Sequence, residues 1–530
     1  MRKLSRVWWA GGLAAAVWWA AAGVPAARAA AVDRKALARA ERTLRGGEFE
    51  EAERMFRALL QKDDRDLAAR LGLSHALLKQ RKHGDAFDHA ARVVALDPLS
   101  ARAHALLGTA LLGSGDFRLS VEEFRTALSL KDDDAMAVAG LAMVDFYESR
   151  ITAAVNGLRR AAFIDPAEPD YVFNLGQVSA RSERYAEAAA AYEQFLRIAP
   201  RTDADRRARI QGLIDFLRYL GKQRDLTAIG GPSRVAVPFE LVNSRPIVEV
   251  RINGSKEALR FVVDTGAGMC VVSADAARRL GLKPVARGGM ARAVGGPGRF
   301  DIVYGFLQSL QLGEARAERV PVYIRQFFND DEPIDGYIGL SVLGKYLTTV
   351  DYAARTMTLL RDEALRDAPA PTPEAVEVPI RTTSSGFWSG EVRLEGVEKP
   401  ANFIIDTGAS VTVVSEALAA REGLERFQQK QLIRVYGAAG LSENIRTLTL
   451  PSVALTPTHL RRHVYAAVLD MEALNETAGF EQTGIVGGNI LKHYRVTFDF
   501  GRAVVRLDPV KAPAADSAPA TAPPVVSSQP

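Results

Sequence analysis

Two short motifs hold the residues of this chain whose side chains could act together in a reaction. The tripeptide Asp-Thr-Gly occurs at residues 264–266 and again at residues 406–408, each time at the end of an apolar run typical of a β-strand. Two carboxyl groups held close together cannot both ionise, so one keeps a proton while the other can act as a base toward water. The duplicated motif therefore predicts an acid–base device built from Asp264 and Asp406.

The surroundings of the two motifs are duplicated as well. Between residues 264 and 282, 11 of 19 residues are identical to those found 142 positions later. A second shared pattern closes each half, Gly-Tyr-Ile-Gly at 336–339 and Gly-Ile-Val-Gly at 484–487. An internal duplication of a unit of roughly 130 residues is the kind of signal to seek before detailed structure. We therefore predict two related lobes, residues 236–363 and residues 376–510.

These features resemble the retropepsin/pepsin clan of aspartic proteases. The clan pattern is two apolar residues before Asp-Thr-Gly, then a glycine-tipped flap hairpin, then an apolar-apolar-Gly segment, and both halves contain all three parts. The resemblance covers about residues 236–510 and implies an all-β, bilobal, pseudodimeric fold in which Asp264 and Asp406 are catalytic. The residues that it assigns to support of the active-site loops are Thr265, Gly266, Thr407 and Gly408. The residues that it assigns to the flaps and to substrate binding are Val294, Gly295, Gly296, Val435, Tyr436 and Gly437.

The resemblance also implies a mechanism. One aspartic acid is protonated, and the other is the general base for a water that attacks the peptide carbonyl. Thr265 and Thr407 are expected to hydrogen bond across the lobe interface, and an extended substrate is expected to bind as an added strand beneath the flaps. Ala267 and Ala409 stand where Ser or Thr is commoner, which removes a hydroxyl near each carboxylate. The pair is therefore expected to hold its proton to higher pH.

Other candidate chemistry is weaker, and we predict neither a metal site nor a cofactor. His459 and His463 are four residues apart, but no Glu follows His459 in the zincin pattern and the region is rich in strands. Cys270 is the single cysteine, so an intramolecular disulfide is impossible. It lies in an apolar run, where a buried and unreactive thiol is expected.

Residues 33–223 repeat with a different period. Aromatic or apolar residues and small residues recur every 34 positions, a pattern that resembles the tetratricopeptide repeat. One such series is Phe49, His83, Phe117, Ile151 and Tyr185. The resemblance implies an all-α solenoid of four to five units, closed by a capping helix at residues 202–220. Such solenoids form a concave groove that binds peptides or protein partners. A solenoid without a specific ligand is the alternative.

The N-terminus predicts a secretory signal peptide over residues 1–29. Basic residues precede an apolar run at 7–24, and Ala-Arg-Ala at 27–29 fits a cleavage site between small residues. The alternative is an uncleaved membrane anchor at residues 7–24. Together with an Ala/Arg-rich composition, the signal predicts a bacterial exported protein, periplasmic or secreted.

The remaining segments connect or extend the domains. Residues 224–235 and 364–375 contain Gly and Pro and are predicted as linkers, and residues 511–530 as a disordered tail. The linker before the lobes suggests that they fold without the repeats. The formal charge is +5, and four of the basic residues lie within 1–29, so the charge gives no reason to expect a nucleic-acid partner.

The sequence therefore predicts a multidomain protein with a tetratricopeptide solenoid before a bilobal aspartic protease fold. The expected activity is an exported aspartic endopeptidase, a hydrolase, whose repeats recruit a protein substrate or partner. Two alternatives remain open. The lobes and repeats could form a catalytically inactive peptide-binding adaptor, or each lobe could pair with another chain.

Overall fold

The computed structural model describes residues 23–510 apart from residue 297, residues 328–332 and residues 438–439, and it describes side chains from residue 34 onward. The predicted tail, residues 511–530, lies outside the described residues. So does most of the predicted signal peptide, of which residues 23–29 lie in the first helix. Within the described part of the chain, no helix is both long and apolar enough to cross a bilayer.

The N-terminal part is a solenoid of antiparallel helix pairs, as predicted. Over the described residues there are five pairs, and the series that begins with Phe49 supplies the first residue of the second helix in each pair. A last helix follows where the capping helix was expected. The helices are α1 (Gly23–Arg45), α2 (Phe49–Lys62), α3 (Leu67–Lys79), α4 (His83–Leu96), α5 (Ala101–Gly113), α6 (Phe117–Leu130), α7 (Ala135–Tyr147), α8 (Ile151–Ile164), α9 (Pro169–Arg181), α10 (Tyr185–Ile198) and α11 (Ala204–Leu220).

The 34-residue period reflects helix starts and close helix packing. Ser100 and Asp134, at equivalent positions of successive repeats, each accept a hydrogen bond from a backbone N–H in the first turn of the following helix. These are N-cap interactions that satisfy otherwise unpaired donors. Gly108 lies against the ring of Phe124, where an added Cβ would come within 2.7 Å of a ring carbon. The small residue therefore lets the two helices of a repeat approach each other.

The rest of the chain forms two β-rich lobes. The first contains β1 (Ala228–Gly230), β2 (Arg234–Pro238), β3 (Glu240–Val242), β4 (Arg245–Ile252), β5 (Leu259–Val263), β6 (Cys270–Ser273), α12 (Ala274–Arg279), β7 (Ala286–Arg292), β8 (Arg299–Leu312), β9 (Ala315–Arg325), β10 (Gly336–Ile338), α13 (Leu340–Leu343), β11 (Leu347–Asp351) and β12 (Thr356–Leu360). The second contains β13 (Val376–Thr382), β14 (Trp388–Leu394), β15 (Ala401–Ile405), β16 (Thr412–Ser415), α14 (Glu416–Arg421), β17 (Ile433–Gly437), β18 (Gly440–Ile445), β19 (Thr447–Thr456), β20 (His459–Leu469), α15 (Glu472–Ala478), β21 (Gly484–Val486), α16 (Gly488–Leu491), β22 (Tyr494–Asp499) and β23 (Val504–Pro509). Short 3-10 turns lie at Asp362–Asp367 and Leu424–Phe427.

The two lobes repeat the same strand arrangement. In the first lobe β5 pairs in parallel with β10, and Val263 lies opposite Ile338. In the second lobe β15 pairs in parallel with β21, and Ile405 lies opposite Val486. The prediction of a duplicated, all-β bilobal unit behind an all-α solenoid is confirmed.

One continuous sheet joins the lobes. Its strand order runs β13-β23-β22-β11-β12-β2, so β11 of the first lobe pairs with β22 of the second. At this pairing Thr349 lies opposite Thr497, and their hydroxyl oxygens are 3.0 Å apart. Side chains from both lobes form one buried apolar core against this sheet. The relative position of the lobes is therefore fixed by backbone pairing and by shared packing.

The prediction of a linker at residues 224–235 is wrong. β1 pairs with β9, and β2 pairs with β12 in the sheet between the lobes. Gly231, with φ of 96°, provides the turn between these two strands. The segment 364–375 does connect the lobes, but hydrogen bonds hold it to their surface. Arg506 donates to the Pro369 carbonyl at 2.8 Å, and the Thr372 N–H donates to Asp508 at 2.8 Å.

The repeats also pack directly against both lobes. Phe480 of the second lobe lies within the apolar core of the repeats, with ring centroids 4.9 Å from Phe117 and 5.0 Å from Tyr147. Phe216 of α11 stacks on Tyr304 of the first lobe at 4.3 Å. These contacts join the solenoid and the lobes into one packed assembly, in contrast to the independence that the sequence suggested.

We expect Phe480→Ala to uncouple the repeats from the lobes. Deleting a buried phenylalanine side chain costs about 3 kcal/mol or more through lost burial and the cavity left behind. Urea unfolding followed by circular dichroism should shift to lower denaturant and separate into two transitions. Phe163→Ala is the matched control, because Phe163 is 86% exposed on α8 and its removal should change little. An unchanged unfolding curve for Phe480→Ala would contradict the interface.

Candidate active site at the two Asp-Thr-Gly loops

Each Asp-Thr-Gly loop begins where a buried strand ends beside a parallel partner. The backbone N–H of Asp264 donates to the Ile338 carbonyl at 3.0 Å, and that of Asp406 donates to the Val486 carbonyl at 3.1 Å. The apolar-apolar-Gly segments thus extend the strand pairing to the aspartic acids themselves. A glycine is required at the start of each segment. An added Cβ at Gly336 would overlap a phenylalanine ring of the adjacent strand β5.

The two loops are interlocked by their threonines, as the family resemblance implied. The Thr265 hydroxyl donates to the Ile405 carbonyl at 2.7 Å, and the Thr407 hydroxyl donates to the Val263 carbonyl at 2.6 Å. Each hydroxyl oxygen also accepts the backbone N–H of the opposite threonine, at 3.1 and 3.2 Å. Both threonines are fully buried. Four hydrogen bonds therefore tie the loops together across the lobe interface.

The glycines of the motif allow the two carboxyl groups to approach. Neither Gly266 nor Gly408 has a left-handed φ, so backbone conformation is not what requires a glycine at these positions. A Cβ at Gly266 would lie 2.5 Å from the Asp406 carboxyl carbon, and one at Gly408 would lie 2.7 Å from that of Asp264. Each glycine N–H donates to its own aspartic acid, at 2.8 Å in the first loop and 2.7 Å in the second.

Burial raises the pKa of both aspartic acids, and the charge of Asp406 raises that of Asp264 further. The two side chains are 0% exposed. Burial and then the charge of Asp406 raise the pKa of Asp264 well above its ordinary value of 3.8. Burial raises the pKa of Asp406 to about 6, while hydrogen bonds from backbone N–H groups and from Asp264 oppose that rise. Asp264 therefore keeps its proton at a pH where Asp406 has already lost its own, so Asp264 is the proton donor of the pair.

Sequence reasoning missed Arg245, the first residue of β4. Its side chain is buried, and its charge is one of the influences that lower the pKa of Asp264. An arginine directly before the apolar strand Pro-Ile-Val at 246–248 was the available signal. The equivalent position of the second lobe, 142 residues later, is Phe387, so the two halves differ in charge beside the pair.

The thiol that was predicted to be buried accepts a hydrogen bond from the Gly339 N–H at 3.3 Å. Cys270 is fully buried, and burial raises the pKa of its thiol. Its backbone N–H donates to the Ser341 hydroxyl at 3.2 Å. The matching contact in the second lobe runs from the Thr412 N–H to Asn489 at 2.8 Å. Both contacts hold the strand that follows the Asp-Thr-Gly loop. The first lobe uses a serine for this contact and the second lobe an asparagine. Within the described residues, no cluster of His, Cys, Asp and Glu is suited to hold a metal ion.

The six residues assigned to the flaps lie at the ends of two hairpins. β7 and β8 form one hairpin, with Val294, Gly295 and Gly296 at its tip, and β17 and β18 form the other, which contains Val435, Tyr436 and Gly437. The tips touch, since a Cβ at Gly295 would lie 2.9 Å from the Gly437 Cα. Val294 is buried in the apolar cluster of the second lobe beside Val435. The hairpins therefore cross between the lobes in a closed arrangement.

The raised pKa values predict a pH-dependent stability. A carboxyl whose pKa is raised in the folded state stabilises the fold fully below the unfolded value, and this stabilisation is lost as pH rises through the folded value. For Asp406 the loss occurs between 3.8 and about 6. We expect Asp264→Asn/Asp406→Asn to be more stable than the wild type at about pH 8, by on the order of 2 kcal/mol.

Urea unfolding at about pH 8 and about pH 3.5 measures this difference, which should vanish at the lower pH. Asp133→Asn is the control, because Asp133 is exposed on the repeats. An equal gain at both pH values would show that the substitutions act through packing and not through proton binding.

Comparison with known families agrees with this geometry. A family model described as aspartyl protease matches residues 248–342 and 390–490, which include both Asp-Thr-Gly loops. Two tetratricopeptide repeat models match the solenoid, one over residues 37–101 and 140–201 and the other over residues 101–134.

Individual proteins match part of the chain. BBSome complex member BBS4 of Bos taurus is 24% identical over 126 residues, which are 24% of this chain and 24% of that protein. The match therefore spans about a quarter of that relative's length. A thermophilic TPR protein of Thermus thermophilus is 20% identical with a TM-score of 0.30, covering 34% of this chain and 98% of that one. MamA from Desulfovibrio magneticus RS-1 is 20% identical with a TM-score of 0.24, covering 32% and 97%. The matched segments show that this chain carries an aspartyl protease domain in two segments, preceded by tetratricopeptide repeats.

Proposed function

We propose that the two lobes form an aspartic-type endopeptidase that hydrolyses peptide bonds at the Asp264/Asp406 pair. The observation that carries this proposal is the contact of two fully buried carboxyl groups, one with a pKa well above 3.8 and the other with a pKa of about 6. Two such groups whose pKa values are pushed apart can serve as acid and base in the same reaction.

The chemistry follows from this difference in proton affinity. Asp406, ionised, takes a proton from a water whose oxygen bonds to the carbonyl carbon of the peptide. Asp264 gives its proton to the carbonyl oxygen, which forms a tetrahedral diol. The C–N bond then breaks as Asp406 gives its proton to the leaving nitrogen, and a hydroxyl of the diol returns a proton to Asp264. A carboxylic acid and an amine result, and the pair again holds one proton. The N–H groups of Gly266 and Gly408 hold both carboxyl groups in place throughout.

The flaps supply the place for substrate. An extended polypeptide that enters between the Asp-Thr-Gly loops and the tips at Gly295 and Gly437 would pair with backbone groups as an added strand. The tips must separate to admit it, because they touch in the closed arrangement. The tetratricopeptide repeats belong to a class that mediates protein–protein interaction, and we propose that they recruit the protein substrate or a partner.

A second candidate function is a catalytically inactive adaptor that only clasps peptides. The closed flap tips and the complete burial of Asp264 and Asp406 favour this alternative, because access to the pair requires a rearrangement. The two candidates differ in one outcome, the cleavage of a peptide bond that depends on the aspartic acids.

We expect Asp264→Asn and Asp406→Asn each to abolish cleavage, and the double variant to be no worse than either. The two carboxyl groups act as a unit, so their losses do not add. Measuring kcat/KM on a peptide library with the full chain tests this. The value should rise with pH through about 6 as Asp406 ionises, and fall at higher pH as Asp264 loses its proton.

Asp133→Asn controls for the loss of an exposed carboxylate and should cleave normally. A statine-type transition-state mimic should inhibit the wild type, whereas a zinc chelator should not. Cleavage that persists in either aspartic acid variant would exclude the shared site. Binding without cleavage by the wild type would favour the adaptor.

We further propose that the protein is exported to the periplasm, with residues 1–29 removed. The basic start, the apolar run and the Ala-Arg-Ala site support this. Mass spectrometry of the protein expressed with its native N-terminus in a bacterial host should find a chain that begins at residue 30 in the periplasmic fraction. Recovery of a chain with residues 1–29 in the membrane fraction would support an anchor at residues 7–24 and contradict cleavage.

A further inference from the structure

A large cavity lies between the repeats and the lobes. Its volume is about 1500 Å³. Small-molecule sites usually measure about 300–1,000 Å³, so this space is of a size for a longer ligand such as a polypeptide segment. Aromatic side chains from the repeats and from the first lobe line it. They include Tyr171, Tyr185, Tyr192, Phe300, Tyr304 and Tyr323.

The cavity adjoins the candidate active site. Gly268 and Met269, four and five residues after Asp264, form part of its wall. Both strands of the first flap hairpin also contribute, through Arg292 of β7 and Phe300 of β8. A polypeptide that passes from the aspartic acids beneath this hairpin would therefore enter the cavity.

Cations from the repeats face this space. Arg181, the last residue of α9, donates to the Ser385 carbonyl, and its guanidinium lies against Gly268 and Gly386. Arg206 of α11 lies over Phe173 at 4.6 Å, and Arg209 donates to the Met290 carbonyl at 3.2 Å. Within the described part of the chain, none of these three arginines forms a salt bridge with a carboxylate.

Most carboxylates of the cavity wall already lie beside a cation. Each of five lies within salt-bridge distance of a lysine or arginine. They are Glu168, Asp170, Glu183, Asp205 and Glu476. Asp203 caps α11, and Asp301 lies on the exposed edge of β8. Glu168 and Asp170 share Lys79, but the described wall as a whole holds eleven lysines and arginines against seven carboxylates, which leaves it electropositive.

The Arg181 side chain is exposed to the cavity but is also closely surrounded by protein atoms. Its side chain is open to the cavity, yet the surrounding protein lowers the pKa of its guanidinium by desolvation. A partly desolvated cation gains more from an anion than a fully hydrated one does, because the local dielectric constant is lower. Tyr192 and Tyr323, close to Arg181, add aromatic surface beside this charge.

We propose that this cavity binds an acidic segment of the polypeptide substrate beyond the cleavage site, through Arg181, Arg206 and Arg209. This inference rests on the proposed endopeptidase function and names its substrate class. Guanidinium groups recognise carboxylates by paired hydrogen bonds, and the tyrosines pack against the chain. The repeats thereby contribute a binding site that is part of the catalytic assembly.

Substrates that differ only in an extension test the proposal. A cleavable core peptide is extended, on either end in turn, by a Glu/Asp-rich, a Ser/Asn-rich or a Lys-rich segment. We expect the acidic extension on one end to lower KM at least tenfold relative to the neutral one, with kcat unchanged, because remote binding energy is gained equally in the ground and transition states. The Lys-rich extension should raise KM.

Variants locate the effect. In the full chain, Arg181→Gln/Arg206→Gln should reduce the acidic-to-neutral preference to about twofold or less, and Arg206→Gln alone should reduce it in part. Arg118→Gln is the matched control, because Arg118 is 76% exposed on α6 and does not line the cavity. If circular dichroism shows that the double variant is unfolded, the single variant Arg206→Gln is used to measure the loss of the acidic-to-neutral preference. Equal preference in all variants, or an equal loss with Arg118→Gln, would overturn the proposal.

A binding measurement separates this inference from the proposed reaction. Fluorescence anisotropy of a labelled acidic peptide with full-length Asp264→Asn should show saturable binding that weakens about tenfold in Arg181→Gln/Arg206→Gln. Such binding without any cleavage by the wild type would reject the endopeptidase and retain the acidic-peptide site. Equal affinity for acidic, neutral and basic peptides, or equal competition by heparin, would show nonspecific attraction and overturn the site.

Discussion

The interlock between Thr265 and Thr407 is the interaction on which the candidate site depends. Each hydroxyl donates to a carbonyl of the opposite lobe and accepts an N–H from it. These groups are buried, so breaking one bond would leave polar atoms without a partner at a cost of about 1–3 kcal/mol. Neither loop is satisfied alone. Completing these bonds also brings the two aspartic acids together, so the same contacts that join the lobes create the acid–base pair.

The sheet between the lobes protects this alignment. β11 and β22 pair directly, and the hydroxyl group of Thr349 contacts that of Thr497 across this pairing. A continuous antiparallel ladder with a packed core resists small shifts, because interiors are close-packed and strands pair in discrete registers. The flap hairpin of β17 and β18 forms its own small sheet. Movement that admits a substrate is therefore expected in the hairpins and not in the loops.

Features that repeat along the chain could be predicted from the sequence. The Asp-Thr-Gly copies and the 34-residue period depend on neighbouring residues and on repetition, so both lobes and the solenoid could be predicted. Contacts between distant parts of the chain could not be predicted in this way. Arg181 meets Ser385 across 204 residues, and nothing near either residue signals the other. The strands at 228–230 and 234–238 were read as a linker, because Gly and Pro mark a turn without showing that both sides pair with distant strands.

The packing of α11 on the first flap hairpin links the repeats to the site. Gly212 lies so close to β7 that a Cβ there would overlap the Arg287 carbonyl, and Asp205 forms a salt bridge with Arg299 of β8. Both strands of the hairpin are thus held by one helix of the solenoid. Separation of the tips at Gly295 and Gly437 must bend the hairpin beyond these contacts or move α11 with it. These contacts therefore contribute to the energy of flap opening, and a ligand bound against α11 is expected to alter access to Asp264 and Asp406 through this packed surface.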